Sequence, residues 1–118
     1  MGGFRPNERL HRRVEFQKVY ERGVKAHGRF MMLTALPNTL PFARLGVAAT
    51  KKLGGAVARN RAKRLIREVF RRNKIAPGFD IVVVPKRELF DASLTALEAE
   101  FRQILDRSRR RPRAPAGV

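Results

Sequence analysis

Proton-transfer or metal chemistry in this chain would have to come chiefly from two histidines, His11 and His27, and ten carboxylates. Neither histidine has a carboxylate at a spacing that would orient it as a base, and both stand among basic residues. Asp80, Glu88 and Asp91 follow or flank one apolar run, but no Asp-x-Asp or Glu-x-His pattern pairs them for a metal ion. There is no cysteine, which removes disulfide scaffolds and thiolate metal sites. No catalytic residue and no metal site on the protein are therefore expected. What the chain has in quantity is cation: 27 Lys and Arg against 10 acids, a net charge of +17 over 118 residues. Such a field suits a polyanionic partner, nucleic acid first and an anionic membrane surface second.

The charge is concentrated in one stretch, Thr50 to Lys74, and no Asp or Glu lies between Glu21 and Glu68. Ala62, Leu65, Ile66, Val69 and Phe70 recur at i, i+3, i+4, i+7 and i+8, the apolar stripe of an amphipathic helix. Asn60, Lys63, Arg64, Arg67, Arg71 and Lys74 gather on the opposite side, with Arg59, Arg61 and Arg72 flanking. Glu68 offers relief to this charge, best toward Arg72 at i+4. An ordinary solvated helix mixes Lys with Glu. The near-absence of acid here favours polyanion binding. Gly54 and Gly55 precede the helix with Lys51 and Lys52 beside them, room for a phosphate at a helix start, although paired glycines are more often just a turn. Neither a Walker loop nor a G-x-x-G clamp is present.

The elements that must carry this helix can be read in order. Residues 1–9 have little periodicity and are expected to be a mobile start. A helix from about His11 to Arg22 stops at Gly23, with contacts from Leu10, Val14, Val19, Phe16 and Tyr20. Phe16 and Tyr20 share a face at i, i+4; periodicity alone makes core packing their simpler role. Val24 to Ala26 is a minor strand, Arg29 to Leu36 a main one, and Asn38 to Phe42 a loop between Pro37 and Pro41. Ala43 to Thr50 is a second main strand, most simply paired antiparallel to the first through that loop. Phe79 to Pro85 is the strongest strand, apolar enough for burial on both faces. Asp91 is a plausible cap for a last helix with Leu94, Leu97, Phe101, Ile104 and Leu105 on one stripe. From Arg107 the pattern ends in a basic tail, 107–118. A single domain over 10–106 results, an α+β sandwich of order αβββαβα with helices on a mainly antiparallel four-stranded sheet.

No apolar run is long enough for a membrane span. The first residues are charged throughout and lack an apolar core, so no secretory signal is expected, and Glu8, Glu15 and Glu21 argue against an organelle transit peptide. A cytoplasmic protein without a membrane partner is the expectation.

KKLGGAVARNRAKRLIREVF resembles the signature of the protein subunit of bacterial ribonuclease P, an R-N-R-x-K-R helix after K-K-x-x-x-A-V. Here it comprises Arg59, Asn60, Arg61, Lys63 and Arg64, followed by Arg67 and Glu68. Phe16-Gln-Lys-Val-Tyr20 with Gly23, Leu45-Gly46-Val47 and Asp80 to Val84 occur in the family's order, so the likeness spans residues 10 to 105. Thr50 and Ala62 are small departures. The resemblance implies a protein that assists a catalytic RNA in removing the 5′ leader of precursor tRNA, with Mg²⁺ held mainly by RNA and substrate. It implies partners in that RNA and precursor tRNA, with no obligate protein partner, and a left-handed crossover through the basic helix, as in the second domain of a small-subunit ribosomal protein. Lys51, Lys52, Arg59, Asn60, Arg61, Lys63, Arg64, Arg67 and Arg71 would then face the catalytic RNA. Arg12, Phe16, Tyr20, Phe30, Val47 and Ala49 would line a leader cleft, where a single strand lies on rings beside positive charge. Two rival readings are a ribosomal or RNA-chaperone protein, which leaves the R-N-R spacing unexplained, and a self-sufficient nuclease, which needs clustered carboxylates.

Overall fold

The computed structural model describes residues 6–110. In chain order these form α1 (Arg13–Arg22), β1 (Val24–His27), β2 (Met31–Pro37), β3 (Arg44–Val47), α2 (Ala56–Arg72), β4 (Phe79–Pro85) and α3 (Leu94–Arg110), with short 3₁₀ turns at Pro6–Glu8, Lys51–Leu53 and Arg87–Asp91. The order of elements is the expected one. The parallel pairing of β3 with β4, joined through the basic helix α2, is the one the resemblance implied, but the simple β2–β3 hairpin is not found: the sheet runs β1-β2-β4-β3. The reason lies in β4, whose Ile81, Val82 and Val83 are fully buried and need cover on both faces and both edges. Inserted between β2 (antiparallel) and β3 (parallel), it takes the central place, and the Asn38–Phe42 loop passes over its start. Asn38 holds that crossing: its N–H donates to Gly78 O at 2.7 Å and its side-chain amide to Asp80 at 2.8 Å.

The period-2 alternation of strands separates two cores. Met31, Leu33, Leu45, Ile81 and Val83 point to one side, where they meet Ile66, Val69 and Phe70 of α2 and Leu97, Phe101, Ile104 and Leu105 of α3. Leu36 and Val82 point to the other, where Leu10 and Val19 close a smaller cluster beneath α1, with Phe16 and Ala48 packed against it. The α2 and α3 stripes are thus the faces the periodicity indicated. In α1 only Val19 is fully buried, and Val14, an expected contact, is 65% exposed. A ten-residue helix lying across a sheet buries one narrow line of side chains, and Val14 falls outside it.

Local chemistry sets several boundaries differently from the sequence reading. Ser93, not Asp91, caps α3: its Oγ accepts from Ala96 N–H at 3.1 Å, while Asp91 closes the preceding 3₁₀ turn. Asn73 ends α2 at Arg72, inside the basic stretch that runs to Lys74, by donating its side-chain amide to Val69 O at 2.8 Å. The last helix runs past the expected boundary at 106, because Ser108 is buried, Arg107 donates to His27 O at 2.7 Å and Arg109 to Ile75 O at 2.6 Å. Residues 6–9 are likewise docked rather than a loose start. Buried Glu8 receives Lys74 Nζ at 2.7 and 2.8 Å, and Arg9 bridges Leu45 beside the β3 edge. The rest of the expected start and tail, 1–5 and 111–118, lies outside the described residues. No helix among those described is long and apolar enough to cross a membrane.

Candidate nucleic-acid interface

Burial of Ala62, Ile66, Val69 and Phe70 fixes the rotation of α2, and with it the direction of its charges. Asn60, Lys63, Arg64, Arg67 and Arg71 emerge along an open groove of about 400 Å³, joined by Glu68 and, from outside the helix, by Arg9. Leu10 N–H donates to Leu45 O at 2.9 Å, which lays the N-terminal segment along β3 and brings Arg9 to the groove. Arg9 carries no periodic signal, so the sequence reading placed it in the loose start. Burial, with the charge of Arg9 added, pushes the Arg67 guanidinium below its ordinary pKa. Two cations held together in this way favour an anion between them. Glu68 turns to Arg71, at 2.6 and 3.0 Å, rather than to the expected Arg72, which pairs with Glu98 of α3 at 3.0 Å.

The Arg-Asn-Arg triplet is divided by the helical rotation. Asn60 joins the groove, half-buried Arg59 is not part of it, and Arg61 lies over the ring of Phe90, 5.4 Å from its centroid. That is a cation–π contact on the flank facing the 3₁₀ turn before α3. Lys51 and Lys52 are exposed in the turn that leads into α2. Gly54, at φ 130°, makes the bend that a side chain would strain, and Gly55 begins the helix.

The second candidate surface is the sheet face beneath α1. Opposed residues Lys25, Thr34, Val82 and Gly46 form one row across all four strands, and His27, Met32 and Val84 form the next. Helix α1 lies over the first row, with Val19 buried and the Phe16 ring against Gly46. Met32, Val84 and Ala48 stay half-exposed, an apolar strip on the sheet face. Tyr20 is 39% exposed; burial pushes its phenol above the ordinary value of 10.0, so it stays uncharged near neutral pH. Arg12 is exposed at the start of α1.

Three residues expected in the cleft sit elsewhere. Val47 and Ala49 pack against the α2/α3 core because alternation turns Gly46 and Ala48, not them, toward α1; Phe30 packs against the same core, under Arg29. The apolar residues on the α1 side of the sheet are instead Met32, Val84 and Ala48, with Gly46 under the Phe16 ring. The sequence offers little to single out Met32, because β2 is apolar at nearly every position.

An ion network holds α1 to the sheet. Arg44 donates to Asp80 at 2.8 and 2.7 Å and to Glu15 at 3.3 Å, while Glu15 accepts the backbone N–H groups of His11 and Arg12 at 3.0 and 2.9 Å. Burial alone would raise the Glu15 pKa, but these hydrogen bonds and the Arg44 charge hold it below 4.5. Hydrogen bonds to Asp80 keep Arg44 charged against the opposing effect of burial. The acids are thus committed to structure: Glu8, Glu15, Glu68, Asp80, Glu98 and Asp106 each pair with a cation. The carboxylate of Glu100 accepts the N–H groups of Arg29, Phe30 and Met31. No three His, Asp or Glu converge among the described residues.

Fold and surfaces together define a small basic α+β protein with a cation-lined helix groove and a separate, partly open apolar sheet face. The family model described as Ribonuclease P matches residues 4–109. The ribonuclease P protein component of Clostridioides difficile is 32% identical over 108 residues, spanning 89% of this chain and 95% of the relative. The ribonuclease P protein structure from Thermotoga maritima superposes with a TM-score of 0.76 at 33% identity, covering 85% of this chain and 96% of that one. The Staphylococcus aureus protein gives 0.74 at 30% identity, with 84% and 93% covered. The chain belongs to the ribonuclease P protein family, and so takes part in the tRNA-processing ribonuclease as a protein component.

Proposed function

We propose that the protein binds a catalytic RNA through the α2 groove and the 5′ leader of precursor tRNA along the open strip beneath α1, in the cytoplasm. The observation that carries this reading is the separation of the two surfaces. Arg9, Lys63, Arg64, Arg67 and Arg71 converge on one groove, which suits the phosphates of a structured RNA. Phe16, Tyr20, Met32, Val84 and Ala48 offer rings and apolar area with little charge, which suits unpaired bases.

Mg²⁺ belongs, in this reading, to the RNA and the substrate. The protein's carboxylates do not suit a metal centre: most are spent on cations and on backbone N–H groups, and no three acids or histidines converge among the described residues. The protein's own work is to neutralise phosphate repulsion, to hold the leader in one direction, and so to raise the RNA's affinity for its metal ions.

A leader-length series tests the division of labour. The reconstituted protein–RNA complex should bind precursor tRNA more tightly as unpaired leader nucleotides are added, until the strip is covered. RNA alone should show little of this gain. Equal gains with and without protein would remove the leader from the protein surface.

A further inference from the structure

Gly46 stands where there is no room for a side chain. A Cβ built there would lie 2.5 Å from Cζ, 2.8 Å from Cε2 and 3.1 Å from Cε1 of Phe16. Nonbonded carbons pack at about 3.5–4.0 Å, so the tip of the ring rests directly on the β3 backbone. Gly46 is ordinary strand, in register with Val82, and has no need of glycine's conformational freedom. What glycine supplies is space.

The ring is also confined from other directions. Glu15, its neighbour on α1, is bonded to Arg44, two residues before Gly46 on the same strand. Leu10, just before α1, is bonded to Leu45. These two ties hold the start of α1 at a fixed height over β3, so the ring cannot make room by lifting the helix cheaply. Leu10, Val19, Leu36 and Val82 make the apolar cluster against which it packs. The rest of the ring is half-exposed, on the same sheet face as Ala48 and one helical turn before Tyr20.

We propose that Gly46 is a positioning residue for the 5′ leader: the missing side chain sets how deep the Phe16 ring sits, and hence the surface an unpaired nucleotide meets. The inference rests on the leader reading given above. A methyl at position 46 must tilt the ring or raise α1, and either change spoils the stacking surface without altering any charge.

The test compares the precursor-to-mature tRNA affinity ratio of the reconstituted complex for wild type, Gly46→Ala, Phe16→Ala and the double variant. Loss of one stacked base should cut the ratio roughly 5- to 150-fold in Phe16→Ala. Gly46→Ala should fall toward the same value, and the double variant should be no worse than Phe16→Ala, since the new methyl then meets empty space. The double variant also guards against misfolding: where Gly46→Ala lowers the denaturation midpoint, deletion of the ring should restore it toward that of Phe16→Ala. A Gly46→Ala ratio equal to wild type beside a reduced Phe16→Ala ratio overturns the inference and leaves the leader reading standing. So does a Gly46→Ala folding defect that persists in the double variant. A wild-type ratio in both single variants overturns the leader reading and the inference together.

Discussion

Replacing Arg64 and Arg67 by alanine, singly and together, perturbs the cation-lined groove of α2 at its centre. Arg71 is held by Glu68 at 2.6 Å and must give up that pair to reach a phosphate. Lys63, Arg64 and Arg67, with Arg9 beside them, line the rest of the groove and set the response to salt. With one phosphate each, at roughly 0.7–0.9 counterions per contact, log K should fall with log salt at a slope of about −3 to −4. Each alanine should weaken binding by about 1–3 kcal/mol, the range for charge-assisted hydrogen bonds. Arg67 belongs at the upper end, because it is half-buried in the groove beside Arg9, where a phosphate is less screened by water. Exposed Arg64 belongs at the lower end. The pair sits at i, i+3 on one face, so their losses should not simply add. The double variant should also flatten the slope by about 1.5. Titration of labelled catalytic RNA at several salt concentrations reads all of these. A flat salt dependence in wild type, or full affinity in the double variant, would remove the groove from the interface.

Arg44→Ala leaves Asp80 and Glu15 without their shared cation. It should cost about 1–3 kcal/mol by urea denaturation, less than for a fully buried pair because the groups are partly solvated and Asn38 still bonds Asp80. Acid should expose the same network. The folded pKa of Glu15 lies below its ordinary 4.5, so its stabilisation is fully present above that pH and is lost as pH falls through the lower folded value. Glu15→Gln should make the stability curve shallower below pH 4.5 and leave its shape near neutrality unchanged. Tyr20→Ala should change the denaturation midpoint little, since the residue is 39% exposed. Binding of precursor tRNA should weaken by about 1–3 kcal/mol if a base stacks there. A large loss of stability with an unchanged precursor-to-mature ratio would return Tyr20 to the core.

The helices were legible because their signal is local. The stripe from Ala62 to Phe70 and that from Leu94 to Leu105 each face the core as their spacing required. Sheet order was not legible, because the choice between a β2–β3 hairpin and insertion of β4 depends on a strand that arrives only after α2. The sequence did carry the deciding property, the apolar run of β4, but its need for two neighbours is a global condition. The basic face of α2 was readable from charge and period alone. The α1-facing strip was not, since Leu45 to Ala49 is small and apolar throughout and gives no parity to tell Gly46 and Ala48 from Val47 and Ala49. Arg9 reaches the groove through a backbone bond to β3, an interaction with no compositional trace.

In the proposed division of labour the protein binds and positions while the RNA performs the hydrolysis. Its most direct measurement is cleavage of precursor tRNA in Mg²⁺ by rigorously RNA-free protein, before and after the catalytic RNA is added. The expected result is no cut at the 5′ mature end with protein alone, and efficient cutting at low Mg²⁺ once the RNA is present. Cleavage by the protein alone, abolished when one of its own carboxylates is neutralised, would place the chemistry on the protein instead.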